Sequence, residues 1–425
     1  MKKKDIFRGW YIVLGCFFLM SMNYGARYCF GVFMKPMSRE YAWSISTVSL
    51  AASVYLFVYA AAAIVVGRSL DRAGPRWLVL AGTIAAAAGF VLGACATTPL
   101  ELYLSYGLLF GLGSAATGVV VCNPYVGRWF VKKRGLALGI SSMGVGFGTV
   151  VLSPIAGYIV KNYTWKHGFL FLGAATLVVG VVVSQFLMRG SSPEACGCFP
   201  DGESCPGVES DAFRNSQQEI SLRWSELAGD SRFYVLAVGH GLPVMAFLTV
   251  MMHQVNYALD NGIEKIAAAS SLGAVSIFGI LGQFSFGWLS DRMKDPKYAA
   301  CVGYAVMAAG MVVLLQSSDA KMLYLYALIF GFGYGSLAPM LPVMIADRFG
   351  RHVMGSVYGL LTFFTVGVAG SLGPLLGGLI YDRAGSYRAV WLFNLVMLVM
   401  AAVLILALRR GDRTGAQKDG SGSFA

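Results

Sequence analysis

Charge is scarce in this chain: Asp, Glu, Lys and Arg make up 13% of its 425 residues, and the acids number only 21. A soluble domain carries about 25% charged residues, so a water-soluble fold of this length is a poor reading. The eight cysteines are thinly spread, and only Cys196, Cys198 and Cys205 lie near one another. A metal site would want a fourth ligand and paired chelating spacings, and neither is present. No metal and no cofactor are expected. The chain also has no convergent nucleophile and no phosphate-binding loop, which argues against an enzyme. Low hydrophobicity, the mark of a disordered chain, is absent too: hydrophobic residues make up 57% and mean hydropathy is +0.65.

Long apolar runs fill the sequence instead, and the solvent they imply is a lipid bilayer. The net charge of +12 lies in short basic clusters between these runs and forms no continuous stripe, so nucleic acid is not an expected partner. Hydrocarbon about 30 Å thick needs roughly 20 apolar residues per helix. Twelve stretches satisfy this, near 9–34, 45–66, 77–97, 102–126, 135–160, 168–188, 233–259, 266–288, 298–316, 322–346, 353–380 and 388–408. The first is too long for a cleaved leader and is expected to stay in the mature chain.

Twelve spans place both termini on one side, and the positive-inside rule assigns that side. The termini, the central loop and the loops on their side hold 24 Lys and Arg, and the opposite loops hold 8. Both termini are expected in the cytoplasm, with the chain as a multi-pass protein of the cytoplasmic membrane. Residues 189–231, with eight acids and three arginines, read as a cytosolic linker between bundles 1–188 and 232–408, and 409–425 as a cytosolic tail. The stretch Ser221 to Ala228 around Trp224 has the pattern of a short helix lying on the membrane surface.

The two halves repeat with one offset of 220 residues. Gly67 with Asp71-Arg72 returns as Gly287 with Asp291-Arg292, Phe110-Gly111 as Phe330-Gly331, and Arg128 as Arg348. Gly139, Pro154 and Gly157 return as Gly359, Pro374 and Gly377. A single offset held across four helices marks a duplicated six-helix unit, an architecture of carriers whose substrate site lies near the midplane between the halves. An acid beside free helix amides, with an arginine from a neighbouring helix, can latch one state and release in another. Asp71, Arg72 and Arg128, and their counterparts Asp291, Arg292 and Arg348, are the latch candidates.

These features together resemble the major facilitator superfamily across essentially the whole chain. Within it, Trp129-Phe130-Val131-Lys132-Lys133-Arg134-Gly135-Leu136-Ala137-Leu138-Gly139 is similar to the signature preceding span 5 of monocarboxylate transporters. Asp5 with Gly9-Trp10 matches their first signature in part. The run His253 to Gly262 and the linker's Pro193-Glu194 and Pro200-Asp201-Gly202 resemble bacterial monocarboxylate and oxalate/formate exchanger-like members. The resemblance implies an all-α membrane fold of 12 helices in two pseudo-symmetric six-helix bundles. It also implies substrate contacts at Asn123 and Tyr125 in span 4 and at Tyr334 in span 10. The chain departs from the pattern in span 8, where members carry an Arg at the place of Gln283 and often an Asp at the place of Gly279.

Ionisable groups deep in a membrane are costly and therefore functional candidates. Arg27 is the only formal charge between Arg8 and Lys35, roughly 12 Å inside Lys35 at helical rise. Asn23 lies one turn earlier on the same face, and a guanidinium with an amide suits a carboxylate. The alternative placement has Arg27 snorkelling to the head groups. In span 7, Thr249, His253, Tyr257 and Asp260 share a face. His253 is a candidate to bind substrate or couple a proton, with a hydrogen-bonded packing role as its rival. Pro124 distorts span 4 beside Asn123 and Tyr125.

The expectation is a carrier, acting as a monomer, that moves a small monocarboxylate anion by alternating access, with a proton as candidate co-substrate. Substrate binding falls to Arg27, Asn23, Asn123, Tyr125, His253, Gln283 and Tyr334. The alternatives are an organic-anion exchanger, an uncoupled carrier of another small organic solute and, further off, a membrane receptor.

Overall fold

The computed structural model describes residues 7–188, 190, 192–193, 198–202, 227, 229–351 and 353–408. Asp5, Cys196, Cys205, Trp224 and the tail 409–425 lie outside the described residues. Twelve helices follow in order: α1 (Arg8–Tyr41), α2 (Ile45–Ala73), α3 (Pro75–Ala94), α4 (Pro99–Trp129), α5 (Arg134–Asn162), α6 (Trp165–Leu187), α7 (Ser231–Asp260), α8 (Lys265–Arg292), α9 (Pro296–Leu315), α10 (Ala320–Phe349), α11 (Met354–Ala384) and α12 (Tyr387–Leu406). Among the described residues, all of these helices but α1 contain a stretch long and apolar enough to cross a bilayer. α1 has the length, with 34 residues, but carries Asn23 and Arg27 in mid-helix.

Local chemistry sets the helix starts. Pro75 and Pro296 open α3 and α9, where a missing N–H costs nothing. Thr98 and Glu101 close a reciprocal capping box on α4. Ser44, Asp230, Asp295, Asp319 and Ser386 each accept a backbone N–H at a helix start. The connections within each half are short, so sequential helices run antiparallel. The segment from Gly67 to Ala73, expected as a loop, is instead the last two turns of α2, and the chain turns at Gly74 with φ 76°.

Helices α1–α6 pack as one bundle and α7–α12 as the other. Lipid removes the hydrophobic drive between helices, so small residues that let backbones approach decide the packing. In the first bundle, α5 lies along α1 through Gly144 and Gly148, where an added Cβ would overlap the carbonyl oxygens of Phe17 and Ser21. Large apolar side chains such as Phe57, Val65, Tyr158 and Ile266 are exposed on the outer surface, as a lipid-facing belt requires.

Among the described residues the bundles meet most extensively through two helix pairs, α2 with α11 and α5 with α8, and also where α4 meets α10 and α11 and α5 meets α10. The backbone of Gly67 meets Gly355, and that of Gly287 meets Gly135. These two contacts map onto one another by the 220-residue offset, so the sequence repeat is a pseudo-twofold relation in space. Both contacts lie on the terminus-bearing side of the molecule.

Gly148→Val is expected to lower stability by about 1–3 kcal/mol, because α1 and α5 have no room to part. Thermal denaturation in detergent measures this. Gly157→Ala, at a position with nothing within 4 Å of the new methyl, is expected to leave the midpoint unchanged.

Candidate functional site

Helix α4 is broken in the middle of the membrane, and the break organises the site. Gly118 leaves helical geometry at φ −95°, ψ −157°, which frees the Ser114 carbonyl from its helical partner. In lipid such a group has to be satisfied by protein. Asn23 does so: its Nδ2 donates to the Ser114 carbonyl at 2.9 Å and to the Thr117 hydroxyl at 2.8 Å, and its Oδ1 accepts from the Ser114 hydroxyl at 2.8 Å. The distortion expected at Pro124 therefore falls six residues earlier, and α4 continues as helix through Pro124.

The same serine leads to Arg27. The Ser114 hydroxyl shares a 2.7 Å hydrogen bond with Tyr55 on α2, and the Arg27 guanidinium lies 5.3 Å from the centre of that tyrosine ring. Tyr24 and Tyr28, from α1 itself, flank it at 5.8 and 5.5 Å. Such cation–π contacts offset part of a guanidinium's lost hydration. From the second bundle, Tyr334 lies within electrostatic reach of Arg27, Tyr24 and Tyr28. The Tyr334 ring stacks flat on Phe247 of α7 at 3.9 Å and occupies the space a side chain at Gly279 would need.

Arg27 and Tyr334 are half-buried and Tyr28 is 41% exposed. Arg27 forms no ion pair among the described residues. Its guanidinium lies among the rings of Tyr24, Tyr28 and Tyr55. Asn123 lies where α4 meets the second bundle. Its Nδ2 bridges to the Ala338 carbonyl and the Tyr358 hydroxyl of the second bundle at 3.3 and 3.2 Å, and its buried Oδ1 has no partner among the described residues.

The other predicted ligands are placed elsewhere. Tyr125 is buried and donates to the Gly190 carbonyl at 2.8 Å. Gln283 is buried where the α8 backbone meets Gly139 of α5, and its Oε1 lacks a partner among the described residues. His253 shares a 3.0 Å hydrogen bond with the Pro374 carbonyl of α11 and packs on Tyr387. Asn23 braces the α4 break. Sequence reasoning missed Tyr24, Tyr28, Tyr55, Phe247 and Tyr358. The available signal was a tyrosine pair four residues apart in α1 and another, Tyr55 and Tyr59, in the otherwise apolar α2.

Two carboxylates reach across the bundle interface. Asp71, at the end of α2, accepts from the amides of Gly355 and Ser356 at 3.0 and 2.7 Å and from the Ser356 hydroxyl at 2.6 Å, and is ion-paired with Arg128. Asp291, at the end of α8, accepts from the amides of Gly135 and Leu136 at 2.6 and 2.8 Å. Each carboxylate caps the free N-terminal amides of a helix in the opposite bundle, where the helix dipole favours negative charge.

The arginines break the symmetry. Arg128 joins Asp71, but Arg348 binds Asp295 through two 2.8 Å hydrogen bonds, pairs with Asp347, and does not reach Asp291. At the 220-residue offset, Asp295 and Asp347 stand opposite Pro75 and Gly127, so neither carboxylate has a counterpart in the first half. Of the remaining latch candidates, Arg72 is exposed, and Arg292 lies over the Trp288 ring at 3.8 Å. Among the described residues, no group of His, Cys, Asp and Glu is arranged to hold a metal ion.

The chain is 28% identical to monocarboxylate transporter 12-B of Danio rerio, over 94% of this chain and 87% of that one. It is 26% identical to human monocarboxylate transporter 2, over 94% and 84%. Among solved structures, a proton:xylose symporter, XylE, superposes with a TM-score of 0.76 at 13% identity, covering 94% of this chain and 96% of that one. The transporter FucP in its outward conformation gives 0.72 at 14% identity, covering 95% and 99%. Both likenesses concern the fold. The profile of the Major Facilitator Superfamily matches residues 16–374. Twelve helices, two bundles related by one offset, and a match over most of its length make this chain a membrane transporter of the Major Facilitator Superfamily.

Proposed function

We propose that this transporter carries small monocarboxylates by alternating access, with Arg27 as the carboxylate-binding residue. One observation supports this above the others: a half-buried guanidinium halfway along α1, boxed by tyrosine rings, has no ion-paired carboxylate among the described residues. A planar fork of donors suits a carboxylate, and the surrounding phenols add neutral hydrogen bonds. The named activity of the similar proteins, monocarboxylate transport, agrees with this chemistry. In this reading Tyr334 orients the substrate from the second bundle, and Asn123 ties α4 to that bundle. Asn23 acts through the α4 break as a positioning residue. The excess of Lys and Arg in the terminus-side loops supports an orientation with both termini in the cytoplasm.

Alternating access also needs a gate that holds and then releases. We assign that role to Asp71 and Asp291, whose bonds cross the interface that has to part. Arg128 supports Asp71, while Arg348 acts inside its own bundle.

Arg27→Gln is expected to weaken carboxylate counterflow in proteoliposomes by about ten- to a hundredfold, the loss of one or two hydrogen bonds to a charged group. Labelled acetate, lactate, pyruvate and formate are the probes, and Arg27→Lys is expected to recover part of the flux. Counterflow that survives Arg27→Gln unchanged removes that residue from the site. Asp71→Asn is expected to shift the resting population away from the state closed on the terminus-bearing side by about 1–3 kcal/mol. Spin-label distances between the terminus-side ends of α2 and α11 measure this, and an unchanged distribution rejects the latch.

A further inference from the structure

We infer that the first bundle carries a site for the phosphate of an anionic phospholipid at the end of the molecule opposite the termini, held by Lys35 and Arg39 of α1. The site is separate from Arg27, which lies eight residues earlier in the same helix, roughly 12 Å away at helical rise.

Lys35 and Arg39, from the last two turns of α1, line a cavity of about 460 Å³ together with Val160, Tyr163 and Trp165, from the end of α5 and the start of α6. A cavity of this size is large enough for a small ligand or a lipid head group. The two cations stand four residues apart, so they share a helical face and repel one another. Both are exposed, and neither has an ion pair or hydrogen bond among the described residues. Glu40 does not neutralise them, because its carboxylate is ion-paired with Lys166 at 2.8 Å and accepts from the Trp165 indole at 2.6 Å. An anion between Lys35 and Arg39 offsets their repulsion, and a guanidinium beside an ammonium suits a phosphate.

The distribution of charge along the chain points to the same corner. Of the eight Lys and Arg in the loops opposite the termini, four (Lys35, Arg39, Lys161 and Lys166) fall in the two connections that meet here, with Glu40 as their one acid. The internal repeat supplies a control. At the offset of 220, Glu40 returns as Asp260, but the four cations return as Val255, Leu259, Tyr381 and Ser386. The end of a span in this fold therefore does not require them. The depth is that of lipid head groups: Tyr41 stacks on Trp43 at 4.7 Å and packs on Trp165 at 6.2 Å, and Tyr163 is 65% exposed, an aromatic belt at the helix ends. A phospholipid is the molecule that lies beside such a notch in a membrane, and an anionic one brings the charge that the protein does not supply.

The test is thermal denaturation of the full chain in a neutral detergent titrated with short-chain phosphatidylglycerol. Phosphatidylcholine of the same chain length and inorganic phosphate are titrated separately. Phosphatidylglycerol is expected to raise the midpoint saturably, because a ligand that binds only the folded state stabilises it. The other two are expected to give no comparable rise. In Lys35→Gln/Arg39→Gln, the lipid concentration that gives half the rise is expected to increase by about ten- to a hundredfold, the loss of one or two hydrogen bonds to a charged group. Lys321→Gln/Arg388→Gln removes as much charge from exposed positions on the same side of the second bundle and is expected to respond like the parent.

A phosphatidylglycerol response that is absent from the parent, or unchanged in Lys35→Gln/Arg39→Gln, overturns the site. An equal loss in Lys321→Gln/Arg388→Gln also overturns it, since the response is then one of general surface charge. An equal rise with phosphatidylcholine removes the role of the negative charge, and an equal rise with inorganic phosphate overturns the lipid as the ligand. Should the double change prevent folding, Lys35→Gln and Arg39→Gln decide singly: each is expected to take part of the shift, and two single variants that titrate like the parent reject the site.

Discussion

A guanidinium in the middle of a bilayer has to be hydrated, paired or surrounded by electron-rich faces, and the centre of this molecule is arranged around that requirement. Arg27 lies in mid-helix in α1, and among the described residues no carboxylate pairs with it. Tyrosine rings from two helices of the same bundle surround it, and Tyr334 approaches from the other. The neighbouring structure follows from holding these rings in place. Tyr55 is fixed by Ser114, and Ser114 is fixed by Asn23, which also repairs the broken turn of α4. One amide therefore connects a helix break in α4 to the position of an aromatic face in α2.

The gate follows a different rule. It lies at helix ends, where peptide dipoles and unbonded amides are available, and it uses carboxylates from one bundle to satisfy amides of the other. Because these bonds cross the interface, their energy depends on the arrangement of the bundles. The duplication gives two such closures, but they are not equal. Asp71 has four partners including Arg128, whereas Asp291 has two amides, because the arginine that would complete its set is held by Asp295 and Asp347. The closure between α5 and α8 therefore has fewer charge-assisted bonds than the one between α2 and α11. Close glycine contacts such as Gly67 with Gly355 and Gly135 with Gly287 bring the helix ends near enough for either closure to form.

How much of this was legible in the sequence varied with the kind of residue. The twelve spans and the offset of 220 could be read directly, and so could Arg27 as the single charge inside a span. Asp71 and Asp291 were recognisable from their recurrence. The polar residues of the spans were harder to assign. Asn23, Asn123, Tyr125, His253 and Gln283 all looked like ligands by residue type and depth, yet each is bonded or packed differently. Asn23 satisfies a backbone, Tyr125 holds Gly190, and His253 ties α7 to α11. The tyrosines of the box were passed over because a phenol in a membrane helix is as often an interfacial anchor as a ligand.

What the sequence determined by itself is the part of the problem that is local along the chain. A bilayer requires about 20 apolar residues per crossing and penalises every stray charge, so span number and the singularity of Arg27 are written in order along the sequence. A duplication preserves its offset whatever the fold does. The tertiary structure alone decided which polar side chains meet between the bundles, which carbonyl Asn23 repairs and which acids Arg348 binds. Those outcomes depend on the rotation and approach of helices whose contacting residues stand tens to hundreds of positions apart. Side-chain type gives no measure of that distance.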